Sequence, residues 1–347
     1  MKAAVVTQLR APLEIQELPD PTPGSADAVL RVDACGVCRS DWHIWQGDWT
    51  WVGVSTPLPI ILGHEIGGTV EAVGADVRGF SPGDRVTVPF HQACGRCANC
   101  YGGRSNLCLI GGGLNAGGFG NLTLVANAEV NMVHLPNEVD TLSASALGCR
   151  FMTAYHGLAD RVRIRPGEWA AVFGAGGVGL SAVQIATALG ARVIAVDISA
   201  DKLARATAEG ALATVNARDG SPVKTIREIS SGGADVTVDA LGSSDTAVPA
   251  VLSLKKGGRH LQIGLTGQQD KGTIALPVDV MTLKEIEFIA SFGCPVTSYP
   301  GLLALVATGR VNPKRLVGKT LPVEGVNAAL EEMTTYGTIG LSVITSW

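Results

Sequence analysis

Four cysteines crowd one short stretch, Cys94-Gly-Arg-Cys97-Ala-Asn-Cys100 followed by Cys108. A C-x2-C-x2-C-x7-C run supplies four thiolates, enough to wrap one tetrahedral Zn2+ with no position left for a substrate. A closed site of this kind is structural, and the same thiols without a metal would be an oxidation liability. A second set is scattered. Cys38 lies in Cys35-Gly-Val-Cys38-Arg-Ser40-Asp-Trp-His43, His64 in Gly63-His64-Glu65, and Cys149 in Leu-Gly-Cys149-Arg-Phe-Met-Thr153. Two thiolates and one imidazole would leave a fourth position open, as a Lewis-acid zinc requires. Spacing alone does not join these three. Singly, a cysteine is usually a small buried hydrophobe, and a histidine a satisfied polar group.

A third signal is Gly174-Ala-Gly176-Gly177-Val178-Gly179. A bare GxGxxG is weak in a glycine-rich chain. Here it follows the apolar run WAAVFG, opens a helical pattern, and is answered 23 residues on by Asp197 at the end of the next strand-like run. That context is the dinucleotide fingerprint. Glycines let a pyrophosphate approach the helix N-terminus, where N–H groups and the dipole favour anions. Asp197 can accept hydrogen bonds from both adenosine-ribose hydroxyls and would repel a 2′-phosphate, so NAD is expected over NADP.

The elements that must hold these residues change texture along the chain. Up to about residue 150 the pattern is short β-like runs punctuated by Gly and Pro: AAVVTQ, DAVLRVDAC, GGTVEAVG, DRVTV and NLTLVAN. From Glu168, strands alternate with helices: WAAVFG, LSAVQIATALG, ARVIAVD, SADKLARATAEG with Ser199 as N-cap, VKTIREIS, ADVTVDAL, a helix over about 244–256, and RHLQIGL. Such alternation implies a parallel sheet wound on both faces. The expected plan is α/β: a β-rich domain over 1–150 with a metal lobe near 92–110, a doubly wound domain over 151–291, and a return to the first domain over 292–347. With 347 residues, 46% hydrophobic and 17% charged, the chain can bury two cores. No apolar run approaches a membrane span, and MKAAVVTQLRAPLEI resembles a strand more than a signal peptide. A net charge of −4 with thinly spread Lys and Arg disfavours nucleic acid or an anionic membrane as partner. A cytoplasmic protein with a small-molecule substrate is expected.

Together CGVCRSDWH, GHE, the four-cysteine lobe, GCRFMTAYHG, GAGGVG and VDIS-x-x-K resemble the zinc-dependent alcohol dehydrogenases of the medium-chain dehydrogenase/reductase superfamily, nearly end to end. The resemblance implies a GroES-like catalytic domain and a Rossmann domain that binds NAD. It implies two Zn2+ per subunit, one structural at Cys94, Cys97, Cys100 and Cys108. The other is catalytic on Cys38, His64 and Cys149, with Glu65 beside it. Ser40 and His43 match a proton relay, and Arg39 matches a pyrophosphate contact. Thr153 and Val178 match neighbours of the nicotinamide, and Asp197 and Lys202 hold the adenosine ribose. Gly174, Gly176, Gly177, Gly179 and Ile263 complete the cofactor set. The implied reaction is hydride transfer between an alcohol and NAD+ in a homo-oligomer, a tetramer before a dimer.

Two departures stand out. Relatives often carry an Arg after a glycine near the C-terminus, whereas Gly340 is followed by Leu341. Trp42, Trp45, Trp49 and Trp51 also fall within ten residues of a chain with six Trp. Trp49 and Phe90 match pocket-wall positions, with Leu114 a further candidate, which favours hydrophobic alcohols. A polyol, sugar or threonine-type dehydrogenase is the alternative within the superfamily. A non-catalytic NAD- and zinc-binding protein is the remote one.

Overall fold

The computed structural model describes residues 1–111 and 114–347. The chain divides into two compact units, Met1–Met152 with Gly293–Trp347, and Thr153–Phe292. Unit 1 contains strands β1 (Lys2–Val6), β2 (Glu14–Glu17), β3 (Ala28–Val37), β4 (Ile60–Ile61), β5 (Glu65–Val73), β6 (Arg85–Val88), β7 (Leu122–Val125) and β8 (Val133–His134). Unit 2 contains β9 (Trp169–Phe173), β10 (Arg192–Asp197), β11 (Ala213–Asn216), β12 (Ala234–Asp239), β13 (Leu254–Gln262) and β14 (Glu287–Ala290). The chain then returns to unit 1 with β15 (Val317–Pro322) and β16 (Leu341–Ser346). The architecture is α/β, a GroES-like unit and a Rossmann unit.

In unit 1 the main sheet runs β15-β16-β3-β5-β6-β8, with β7 also paired to β3. β3 is almost entirely buried, so its apolar run is near-continuous where a half-exposed strand would alternate. Its far end pairs with β16, Ser342 opposite Val37 and Val343 opposite Gly36. It also pairs with β5, Gly36 opposite Glu65. The end of β3 and the start of β5 are thereby held side by side. Leu30, Val32, Val37, Ile66, Val88 and Phe119 form the core beneath them.

Unit 2 is a six-stranded sheet in the order β11-β10-β9-β12-β13-β14, and its strand pairs are parallel. β9, at the centre, is buried at all five residues. Helices Gly177–Ala188, Ala200–Ala208 and Ser244–Leu252 cross between strands, and the second is capped by Ser199, whose side chain accepts from Lys202 N–H. The helix expected over 244–256 stops at Leu252, and β13 begins at Leu254, before RHLQIGL. Gly257 at φ +69° cannot continue a helix, and Leu254 is taken up by Ala234 of β12.

The turn from β9 into Gly177–Ala188 sets how near the helix lies to the sheet. Gly174 sits at φ +90°, and a Cβ on Gly179 would fall 1.7 Å from the Gly174 carbonyl oxygen. Only glycine permits that approach. Gly179→Ala should therefore push the helix off β9 and destabilise by about 1–3 kcal/mol, the range for overpacking. A Tm in thermal unfolding equal to wild type would refute this reading of the turn.

Candidate metal and cofactor sites

β3 ends at Val37, and Cys38 is the N-cap of the Arg39–Gln46 helix. His64 directly precedes β5, and Cys149 lies in the π-helical turn Leu147–Phe151. Such turns are rare and concentrate at functional sites. Cys38, His64, Glu65 and Cys149 each bring a ligand atom within 4.8 Å of the others, and all four are buried. Cys38 Sγ and Cys149 Sγ are 3.9 Å apart. A tetrahedron with bonds of about 2.3 Å has edges of about 3.8 Å, so this donor set fits Zn2+.

Charge inside this site is organised by two groups the sequence did not single out. Asp41, fully buried, accepts from Cys38 N–H at 2.9 Å, Gly63 N–H at 3.0 Å and His64 Nδ1 at 3.0 Å. A carboxylate only accepts, so Nδ1 carries the proton and Nε2 is the atom left to ligate a metal. Burial alone would push the imidazolium of His64 down, but Asp41 and Cys38 outweigh it and hold it well up. Cys38 is pulled down, first by Cys149 donating to its sulfur and then by Arg150 and His64 against burial. Arg150 Nε lies 3.1 Å from Glu65 Oε1, and its Nη2 donates to Val37 O at 2.5 Å. Burial drives the Glu65 carboxyl well above its usual range despite that guanidinium.

Ser40 and His43, expected to form a relay, sit on the adjoining helix. Ser40 Oγ is 3.8 Å from Cys38 Sγ. His43 Nδ1 is 2.7 Å from Asp48 Oδ2, and the Trp49 ring lies against the imidazole at 4.7 Å between centroids. Arg39 is stacked between Trp42 and Tyr336, at 3.7 and 4.3 Å, and donates to Met333 O. Phe90 meets the His64 ring edge-on at 6.1 Å. Leu114 forms a bridge to His91 at the surface. Trp45 is a core residue and Trp51 packs at its margin.

In the lobe, Cys94, Cys97, Cys100 and Cys108 also converge within 4.8 Å. Sulfur pairs among them lie 3.5–4.0 Å apart, and none of the eight cysteines forms a disulfide. Backbone N–H groups aim at them: Cys94 N–H and Gly111 N–H donate to Cys108 Sγ at 3.2 and 3.1 Å. Those of Leu109 and Cys100 pull the Cys97 thiol down to about 6. A set of thiolates with N–H donors is what a closed zinc site needs.

In unit 2, Gly176 is the N-cap of the Gly177–Ala188 helix, and a Cβ placed there would meet open space. The loop therefore offers a bare backbone cradle at a helix N-terminus, which fits a pyrophosphate. Val178 and Gly179 lie in that first turn. Asp197, at the end of β10, accepts from Ala175 N–H at 2.7 Å and from the N–H groups of Ile198 and Ser199 at 2.8 and 3.0 Å. Lys202 lies in the first turn after Ser199. The Thr153 hydroxyl is buried without a hydrogen-bond partner, so a polar group from a ligand would satisfy it. Ile263 follows β13, its N–H bonded to Asp239 O.

Asp41, Asp48 and Arg150 are the residues sequence reasoning missed. An acid at the third position of a helix was a legible cap signal for Asp41. Nothing in the spacing marked the other two.

The Alcohol dehydrogenase GroES-like domain model matches residues 24–137, and the Zinc-binding dehydrogenase model matches 177–308. An alcohol dehydrogenase of Geobacillus stearothermophilus is 33% identical over 337 residues, 96% of each chain. An NAD-dependent alcohol dehydrogenase of Sulfurisphaera tokodaii is 32% identical over 99% of each. The solved alcohol dehydrogenase TADH from Thermus sp. ATN1 has a TM-score of 0.89 at 30% identity, with both chains fully covered. Fold and donor sets define a two-unit zinc oxidoreductase. The chain belongs to the zinc-dependent alcohol dehydrogenases of the medium-chain dehydrogenase/reductase superfamily. Among the described residues no helix is long and apolar enough to cross a membrane.

Arg150→Met should leave Glu65 buried without its cation and cost about 3–5 kcal/mol, as for one broken half of a buried pair. Glu65→Gln added to Arg150→Met should recover part of it. Denaturant unfolding of both variants checks this, and a stability loss no larger for the single than for the double would contradict it.

Proposed function

We propose that this protein oxidises primary or secondary hydrophobic alcohols to aldehydes or ketones with NAD+, reversibly. The observation that carries the reading is the buried set of two thiols and one imidazole, oriented by Asp41 and flanked by Ser40. Cys38, His64 and Cys149 would hold one zinc, with Glu65 beside them, and Cys94, Cys97, Cys100 and Cys108 a second. The Gly174–Gly179 loop, Asp197 and Lys202 would hold NAD, with Arg39, Thr153, Val178 and Ile263 as further contacts. When bound, the zinc supplies Lewis acidity that makes an alcohol proton easier to lose, and NAD supplies the hydride acceptor.

The side chains do the rest. Ser40 Oγ accepts the hydroxyl proton from the substrate as it passes its own proton on, so the serine stays neutral. His43 lies three residues on, on the same face of the helix, and is the next base on the way to solvent. Apolar rings give flat walls for alkyl or aryl groups and no partner for extra hydroxyls. Phe90, edge-on to His64, and Trp49, stacked on His43, support that choice of substrate over polyols. Leu114 is the weaker wall. A homo-oligomer, a tetramer before a dimer, and a cytoplasmic setting belong to the same proposal on the family resemblance alone.

The direct test is a panel of aliphatic, aromatic and polyhydroxy alcohols with NAD+, followed by NADH absorbance. Preference for polyols would overturn the substrate reading. Ser40→Ala should lower kcat/KM for alcohols by at least ~100-fold, within the range for general acid–base groups. Near-wild-type rates in that variant would remove Ser40 from the proton path.

Cofactor preference should follow Asp197. Its carboxylate would face a 2′-phosphate, and Ile198 and Ser199 offer no cation to offset it. NAD+ should be preferred to NADP+, and Asp197→Gly with Ile198→Arg should shift the ratio of kcat/KM toward NADP+. A wild-type ratio favouring NADP+ would refute the assignment.

A further inference from the structure

His43 is held on three sides by groups from its own helix and the turn that follows. Gly47 closes the helix at φ +72°, and Trp49 takes φ +66°, a conformation bulky residues rarely adopt. Between them, Asp48 is tied to His43 twice. Its backbone N–H donates to His43 O at 2.9 Å, and its Oδ2 lies 2.7 Å from His43 Nδ1. Both side chains are withdrawn from water, His43 at 13% and Asp48 at 2% exposed. Trp49 is tilted 30° over one face of the imidazole, and Trp42 meets it edge-on at 5.0 Å. The ring has little freedom to turn.

We propose that Asp48 is a positioning residue for the proton relay, fixing His43 as the Nδ1–H tautomer so that Nε2 is its free basic atom. The argument is geometric: a carboxylate accepts only, so the ring nitrogen facing it must carry the proton. The αL turn at Gly47–Trp49 carries the carboxylate there and packs the indole over the ring it orients. This rests on His43 being the relay base, as read above. The groups that act electrically on His43 are Asp48 from the turn, Arg39 from the helix and Cys38 at its cap. Burial lowers the protonation midpoint of His43, and Asp48 opposes that fall.

The sign follows. Alcohol oxidation uses neutral His43, so the acid limb of kcat/KM rises as pH passes the His43 midpoint. Asp48→Asn keeps a side chain of the same shape but loses the anion. The midpoint should move to lower pH, while the weaker, less oriented base should lower the plateau by roughly tenfold. The Asn amide can accept from or donate to Nδ1, so both tautomers become allowed.

The experiment uses zinc-replete full-length protein. Imidazole nitrogen NMR, with His43 assigned among six histidines by loss of its signals in His43→Ala, should report Nδ1–H in wild type and a mixture in Asp48→Asn. In the His43→Ala background, Asp48→Asn should leave kcat/KM unchanged. A merely structural Asp48 would still lower it there together with Tm. An Nε2–H wild type, an unchanged tautomer in Asp48→Asn, or equal rate losses in both backgrounds would overturn the proposal. The NMR arm needs no turnover. A wild type that oxidises no alcohol yet shows the Nδ1–H tautomer therefore sinks the relay reading and leaves the Asp48–His43 orientation standing.

Discussion

One buried carboxylate carries the geometry of the zinc-donor set. Asp41 collects three N–H groups, from Cys38, Gly63 and His64. It thereby joins the cap of a helix, the residue before the histidine and the imidazole itself. A fully buried carboxylate without partners would cost several kcal/mol, so these bonds are obligatory. Their obligation is what fixes distance: Cys38 and His64 are not free to drift apart while Asp41 is satisfied. The β3–β5 register delivers the same two residues to one sheet end, and Asp41 locks what the register has brought near.

A second constraint lies in the charge beneath the donors. Gly36 is backed so closely by Glu65 that a Cβ would meet Oε2 at 2.1 Å. The carboxyl is therefore pinned between strand and donor set, with Arg150 on its other side. Arg150 is one residue from Cys149 and reaches Val37 O, one residue from Cys38. The guanidinium thus ties two cysteine-bearing segments while offsetting thiolate and carboxylate charge. Replacing it with an apolar group would remove a structural tie and a charge in one step.

Much of this was legible in residue order. The four-cysteine lobe has local spacing, so its convergence needed no knowledge of the fold. The β9 turn and Asp197 were legible because glycine demand and strand ends are local properties. The Cys38, His64 and Cys149 set was not legible from spacing, because its members meet only through strand pairing and a π-helical turn; the family resemblance supplied the link. Asp48 lay hidden because its partner is five residues away across an αL turn, a separation no helical or strand period marks. The early end of the helix at Leu252 was missed for a different reason. Pairing of Leu254 with Ala234 is a tertiary preference that overrides local pattern.

The two cysteine sets show why similar donors suit different work. In the lobe, thiolate charge is met by backbone N–H groups of a tight knuckle, at Cys94, Arg96 and Gly111. Such donors are fixed, neutral and indifferent to what else approaches, and four sulfurs complete a tetrahedron. In the buried set, thiolate charge is met by ionisable side chains, Arg150 and His64, with the Glu65 carboxyl opposing them, in a medium where each strongly shifts the others. Two sulfurs and one nitrogen would leave one corner of a zinc tetrahedron open. Charge brought to that corner would change the energy of the whole set, because the donors around it are buried. A closed knuckle cannot couple to a substrate in this way. The difference in chemistry follows from the fourth ligand and from burial, more than from the metal.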